Sequence, residues 1–328
     1  MSAAGRGNAA RGGAVAISNA GPLNVRPMPT ARDRFLAFRR SQARPPRLTR
    51  RTVRARGLDF AVFATEERPG ATPLLCINGG LLFDHTLLWP ALSPLAGRRQ
   101  LLLYDQRGRG ASQPPPGVRA ARIEHDAGDV PALREALGVD RWDVLGHSWG
   151  GGVAMLAAAA DQAATRRLVL VDPAGTTSRW LDELHDGALA RLTPAQRAAL
   201  DAASEALATA AAPDPALSSD YSQALYPAWF ASAELAAMFS PPRSASRTGA
   251  AVSARLRREG YDWRPLVADL RVPTLVIHGE RDLLPVAVAR ETAALLPRAR
   301  LAIVSDAGHM PFWEAPEEFF TLVEEFLR

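Results

Sequence analysis

Lysine is missing altogether from this chain of 328 residues: all 39 of its basic residues are arginine. That points to a GC-rich coding sequence rather than to a function. Cysteine occurs once, as Cys76, which excludes an internal disulfide. Its place in the apolar run Leu74-Leu75-Cys76-Ile77 marks it as a small buried hydrophobe, not a reactive thiol. No apolar run approaches the ~18 residues of a membrane helix. No cluster of cysteine and histidine has the spacing of a metal site, so no metal and no cofactor are expected. At 47% hydrophobic and 22% charged, the composition is that of a soluble globular protein.

The net charge of +5 conceals two unlike parts. Residues 1–57 hold 13 arginines and one acid, Asp33, whereas the remaining 271 residues hold 26 arginines and 33 acids. The body is therefore mildly acidic. A nucleic-acid-binding domain would carry basic residues interleaved with aromatics on that body, and this one does not. No nucleic-acid or membrane partner is expected. Residues 1–50 are rich in glycine, alanine, arginine and proline, and are expected to form a disordered tail. One short helix is possible over residues 31–38. The stretch lacks the apolar core of about 7–15 residues that a secretory signal needs. A transit peptide or an over-long start are alternatives to a solvated tail, which is preferred, and a cytoplasmic location is expected.

From about Thr52 the pattern changes. Short apolar runs at 52–55, 58–65, 72–77, 99–104, 142–145, 167–171, 273–278 and 300–304 read as strands. Helical periodicity at 123–137, 286–296 and 316–327 falls between or after them. This alternation predicts an α/β fold with a mostly parallel twisted sheet, helices on both faces and an antiparallel hairpin at the start. Between 176 and 263 the alternation stops, and an alanine-rich helical pattern broken by prolines takes over. We expect an all-helical cap over the carboxyl edge of the sheet, where such sheets bind ligands. The division is a tail at 1–50, a core at 51–175 and 264–328, and a cap at 176–263.

The pentapeptide Gly146-His147-Ser148-Trp149-Gly150 lies between a strand and an alanine-rich helix. A G-x-S-x-G there is a nucleophile elbow, with the serine hydroxyl exposed at the apex of a turn too sharp for side chains on its flanks. A serine nucleophile needs a base and a group that orients the base. In this arrangement the chain order is serine, acid, histidine. Asp282 and Glu280 follow a late strand, and His309 follows the last one. We take His309 as the base and Asp282 as its acid, with Glu280 in loop or surface contacts. His147 is expected to pack under the turn, His278 to be packed, His125 and His185 to lie at the surface; His85 is left open. Trp149, after the nucleophile, should give one oxyanion N–H. The loop Asn78-Gly79-Gly80 should give the other, from Gly80 with Leu81 in reserve.

With these residues in place the chain resembles the α/β-hydrolase superfamily, and within it the prolyl aminopeptidase (proline iminopeptidase) group. The likeness runs from about Leu58 to Arg328. Its further carriers are Phe83-Asp84-His85, the run Tyr104-Asp105-Gln106-Arg107-Gly108-Arg109-Gly110-Ala111-Ser112, residues 129–139, Gly279-Glu280-Arg281-Asp282 and Gly308-His309. The family's His-Gly-Gly-Pro-Gly loop is Asn78-Gly79-Gly80-Leu81-Leu82 here, and its Gly-Gly-Ser-Trp-Gly has His147 in place of the second glycine. The resemblance implies cap carboxylates that bind a substrate's free amine; Glu205, Asp220 and Glu234 are candidates, though each also reads as a surface helix charge.

The expected function is a cofactor-free serine hydrolase acting on a small ester, amide or short peptide through an acyl-enzyme. The alternatives are prolyl aminopeptidase activity and a non-catalytic binding protein on the same scaffold. The cap aromatics Trp180, Tyr221, Tyr226, Trp229, Phe230 and Phe239 suggest an apolar pocket, with at least half of them serving as cap core.

Overall fold

Eight short apolar runs become the strands of one sheet in the computed structural model of the chain, which describes residues 30–42, 44–240 and 242–328. The strands are β1 (Thr49–Ala55), β2 (Leu58–Ala64), β3 (Leu74–Ile77), β4 (Leu101–Tyr104), β5 (Trp142–His147), β6 (Thr165–Val171), β7 (Thr274–Gly279) and β8 (Ala299–Val304). Their spatial order is β1-β2-β4-β3-β5-β6-β7-β8. The first hairpin and the β2–β4 pair are antiparallel, and every later pair is parallel. Every residue of β3, β4, β5 and β7 is buried, which explains their uninterrupted apolar runs: both faces of the sheet are covered.

Alternate residues of one strand feed opposite cores. Leu75 and Ile77 join the core that holds Phe60, Trp142 and Met155. Leu74 and Cys76 join the other, with Leu103, Phe312 and Phe319. The Cys76 thiol is buried, and burial raises its pKa, so it stays inert.

The helices are α1 (Ala31–Ser41), α2 (Ile123–Ala136), α3 (Trp149–Ala160), α4 (Trp180–Arg191), α5 (Pro194–Thr209), α6 (Pro215–Leu225), α7 (Ala233–Ala236), α8 (Arg247–Glu259), α9 (Arg264–Val267), α10 (Val286–Leu295), α11 (Pro311–Glu314) and α12 (Pro316–Phe326). Helices α4 to α8 all lie between β6 and β7. The two ends of that insertion meet. Thr177 bridges Asp262, the Trp263 N–H donates to the Thr176 carbonyl at 2.8 Å, and the Ser178 N–H donates to the Tyr261 carbonyl at 3.1 Å. The insertion has a small core of its own around Leu184, Leu200 and Leu225, shared with Leu283 and Leu284 beyond β7. No helix among the described residues is long and apolar enough to cross a membrane.

The expected tail over 1–50 needs correction. Residues 1–29 and 43 lie outside the described residues, but α1 and the start of β1 fall within the expected tail. Thr30 and Asp33 form a capping box that starts α1. Phe35 is 2% exposed, with its ring 4.8 Å from Phe239 and 5.9 Å from Trp313. Phe38 meets Trp313 and Phe320 at 5.4 and 5.6 Å. The arginines dominate the composition of this stretch, but two phenylalanines three residues apart give the helix one apolar side.

Candidate active site

Ser148 follows β5 and caps α3 with φ 55° and ψ −121°, a conformation that non-glycine residues seldom adopt. Three hydrogen bonds of 2.9 Å hold it there: its N–H donates to Val171, and its carbonyl accepts from Gly151 and Ala174. The glycine two residues on is a steric necessity. A Cβ on Gly150 would stand 2.4 Å from the Ile77 carbonyl oxygen, so only glycine lets α3 seat against β3. Because α3 opens at Trp149, its first amides lack intrahelical acceptors and face the space beyond the strand.

His309 and Asp282, brought from separate loops, meet at Nδ1 to Oδ2 2.8 Å, both buried. A carboxylate at Nδ1 fixes the proton on that nitrogen and leaves Nε2 with its lone pair free to accept one. His309 and Ser148 line the same cavity. Asp282 is fixed by the Leu284 N–H at 3.2 Å and by Arg191, which donates to its carbonyl at 2.6 Å. Burial raises the Asp282 pKa, but the His309 charge and hydrogen bond outweigh it and hold the group below its ordinary value. Glu280 is exposed.

Asp172, at the end of β6, is a second buried carboxyl beside Asp282. Its Oδ1 accepts from the Gly279 N–H at 2.7 Å. Burial, and then the Asp282 charge, hold its pKa well above the ordinary value, so Asp172 stays protonated and Asp282 carries the charge. His278 is buried beside both. Its Nε2 lies 2.9 Å from the Leu284 carbonyl, and burial lowers its pKa, which keeps it neutral. Asp172, His278 and Asp282 bring potential ligand atoms within 4.8 Å of one another. With Asp282 Oδ2 bound to His309 and His278 Nε2 bound to a carbonyl, they form a hydrogen-bond network rather than an open metal site.

The His309 loop is held from two sides. Glu314 is fully buried and accepts three backbone N–H groups: Gly308 and Met310 at 3.1 Å each, on either side of His309, and Ala231 of the insertion at 2.8 Å. Burial raises its pKa to about 7, although the three N–H bonds pull the other way. From the insertion, the Trp229 carbonyl accepts the His309 N–H at 2.8 Å, and the Trp229 ring lies 4.2 Å from the imidazole. His147, beneath the turn, is 2.8 Å through Nε2 from the His309 carbonyl, and burial lowers its pKa to about 3.

The glycine loop passes close to Ser148: a Cβ on Gly79 would stand 2.7 Å from the Ser148 Cβ. The Gly80 amide has no protein acceptor among the described residues. Asn78 braces the loop, donating from Nδ2 to the carbonyls of Gly79 and Phe83 at 3.1 Å each. The 104–112 run supports it from behind. Gln106 donates to the Asn78 carbonyl at 2.9 Å and Arg109 to the Leu81 carbonyl at 3.0 Å. Arg109 is buried and forked onto Asp126 at 2.9 and 3.1 Å. His85, left open above, lies 2.7 Å from Asp105 and stacks on Phe63.

A cavity of roughly 150 Å³ connects Ser148 to the insertion. Its wall is apolar, with Trp180, Tyr221, Tyr226 and Trp229 among the aromatic members. Phe230 and Phe239 pack elsewhere, 4.6 Å from each other. Glu205, Asp220 and Glu234 are exposed and none lines the cavity. Among the described residues the wall includes no carboxylate, and its one arginine is Arg257 of α8. Sequence reasoning did not single out Glu314, Asp172 or Arg257. Glu314 had a local signal, a lone acid in the apolar run Pro311-Phe312-Trp313-Glu314-Ala315-Pro316 directly after His309.

A family model described as alpha/beta hydrolase fold matches residues 72–316. Among curated relatives, a proline iminopeptidase of Lactobacillus delbrueckii subsp. bulgaricus is 26% identical over 289 residues, covering 80% of this chain and 91% of the relative. Among solved structures, a proline iminopeptidase-related protein of Thermus thermophilus is 25% identical with TM-score 0.66, covering 86% of this chain and 97% of the other. The enol-lactonase of Burkholderia xenovorans LB400 is 25% identical with TM-score 0.63, covering 84% and 99%.

Proposed function

This chain belongs to the α/β-hydrolase fold family, and from that premise we propose that it is a serine hydrolase, cleaving an ester or amide of a small apolar substrate through an acyl-enzyme. The observation that carries the proposal is the buried Asp282–His309 pair, 2.8 Å apart, whose imidazole lines one apolar cavity with the strained Ser148. Ser148 Oγ attacks the carbonyl carbon while His309 Nε2 takes its proton. Asp282 keeps the tautomer and stabilises the imidazolium that forms. The amides of Trp149 and Gly80 receive the oxyanion, each at a typical worth of ~3–4 kcal/mol. His309 then protonates the leaving group, and water, deprotonated by the same imidazole, releases the acid. The insertion at 176–263 acts as the cap that selects what reaches Ser148, over a core of 51–175 and 264–328.

The aminopeptidase reading has the support of the iminopeptidase relatives. Against it stands the cavity wall, which has no carboxylate to receive an N-terminal amine. Esterase-type activity is therefore the better fit. The test is labelling with a fluorophosphonate followed by peptide mapping, then turnover of a short acyl ester against a proline arylamide. The adduct should map to Ser148, and Ser148→Ala should abolish it and cut ester turnover by about 10⁴-fold. Labelling at another residue would reject the nucleophile, and arylamide turnover without ester turnover would restore the peptidase reading.

A further inference from the structure

The cavity beside Ser148 is mostly apolar. Among the described residues Arg257 of α8 is the only charged residue on its wall, apart from whatever charge His309 gains in the reaction. Arg257 is exposed over part of its side chain and also faces the leucines and aromatics of this wall. No carboxylate pairs with it among the described residues: its one hydrogen bond there runs from Nη1 to Ser253 Oγ at 2.7 Å, one helical turn earlier. Partial desolvation lowers its pKa, with the Tyr221 phenol as the titratable group beside it. The remaining donors of its planar fork have no protein acceptor among the described residues. Ser253 lines the wall with it, so a hydroxyl and a guanidinium stand together on a mostly apolar cavity.

We propose that Arg257 is an anion subsite, and that the preferred substrate is an apolar ester bearing a second, free carboxylate that docks there while Ser148 attacks the ester. A guanidinium fork matches a carboxylate in plane, with two donors to two oxygens. The carboxylate would give Arg257 the ionic partner it lacks, and the aliphatic segment between the two groups would cover Leu181, Leu184 and Leu256. An amine-bearing substrate would meet the same guanidinium as repulsion. This inference rests on the serine-hydrolase reading for the reaction but not for the binding.

The experiment uses mono-4-nitrophenyl esters of straight dicarboxylic acids of increasing length, paired with the same esters capped as methyl esters. At the best length the free acid should have at least about a tenfold higher kcat/KM than its capped partner, the size expected of a charge-assisted hydrogen bond. Arg257→Met should bring the ratio close to one, and Arg257→Lys should keep part of it. Equal or inverted preference at every length would overturn the subsite, as would a preference that survives Arg257→Met. Calorimetric titration of the wild-type protein with the free dicarboxylates and their monoamides separates the two failures. Tighter binding of the diacid that Arg257→Met removes supports the subsite even if no ester is turned over and Ser148 is never labelled; no such difference refutes it.

Discussion

Truncating Glu314 to alanine removes one carboxyl and strands three backbone donors. The N–H groups of Gly308, Met310 and Ala231 have it as their acceptor, and the site is fully buried. A buried donor left unpaired costs about 1–3 kcal/mol, so with partial relaxation Glu314→Ala should lose roughly 3–5 kcal/mol. Two of the three donors flank His309, so the imidazole should also shift relative to Ser148, costing about 10- to 100-fold in kcat. Glu314→Gln adds a pH test. The carboxyl rises from an ordinary 4.5 to about 7 in the fold because burial outweighs its hydrogen bonds. Between those values the folded chain keeps a proton that the unfolded chain has lost. This contribution to stability is therefore complete below about pH 4.5 and is lost as pH rises through 7, by up to about 3 kcal/mol. Glutamine does not titrate, so the advantage of wild type over Glu314→Gln in urea unfolding should shrink from about pH 5 to pH 8. An advantage that stays constant or grows with pH would mean the folded carboxyl is ionised throughout, and a Glu314→Ala loss below about 1 kcal/mol would mean it clamps nothing.

Asp282→Asn should lower kcat by about 10⁴-fold while Glu280→Gln stays within about twofold; the reverse order would reject the assignment of the acid. Phe35→Ala should destabilise the fold by about 3–5 kcal/mol in denaturant unfolding, and deletion through residue 45, which removes α1, by more. Unchanged stability in both would show that α1 is only laid on the surface.

Sheet and elbow were legible because their signals are local. Central strands buried on both faces are written as continuous apolar runs, and the expected boundaries fall within a few residues of the observed ones. Helix α1 was expected over residues 31–38, but its packing onto the core through Phe35 was not, because composition counts arginines, whereas folding counts which side of the helix they occupy. Glu314 and Arg257 escaped for a different reason. Glu314 acquires its role from Ala231, 83 residues earlier, and Arg257 from the wall its helix happens to face. No spacing in the chain encodes either encounter.

The bridge between Thr177 and Asp262 gives the insertion a single neck. A longer or shorter segment between its ends adds only a slowly growing closure entropy, because the same two residues still close the neck. Exchange of that segment carries a condition at the site. Any replacement must still supply a carbonyl where Trp229 receives the His309 amide, an N–H where Ala231 meets Glu314 and a donor where Arg191 reaches the Asp282 carbonyl. A grafted segment that fits the neck but omits those atoms would close over the site and leave the His309 and Asp282 loops unheld.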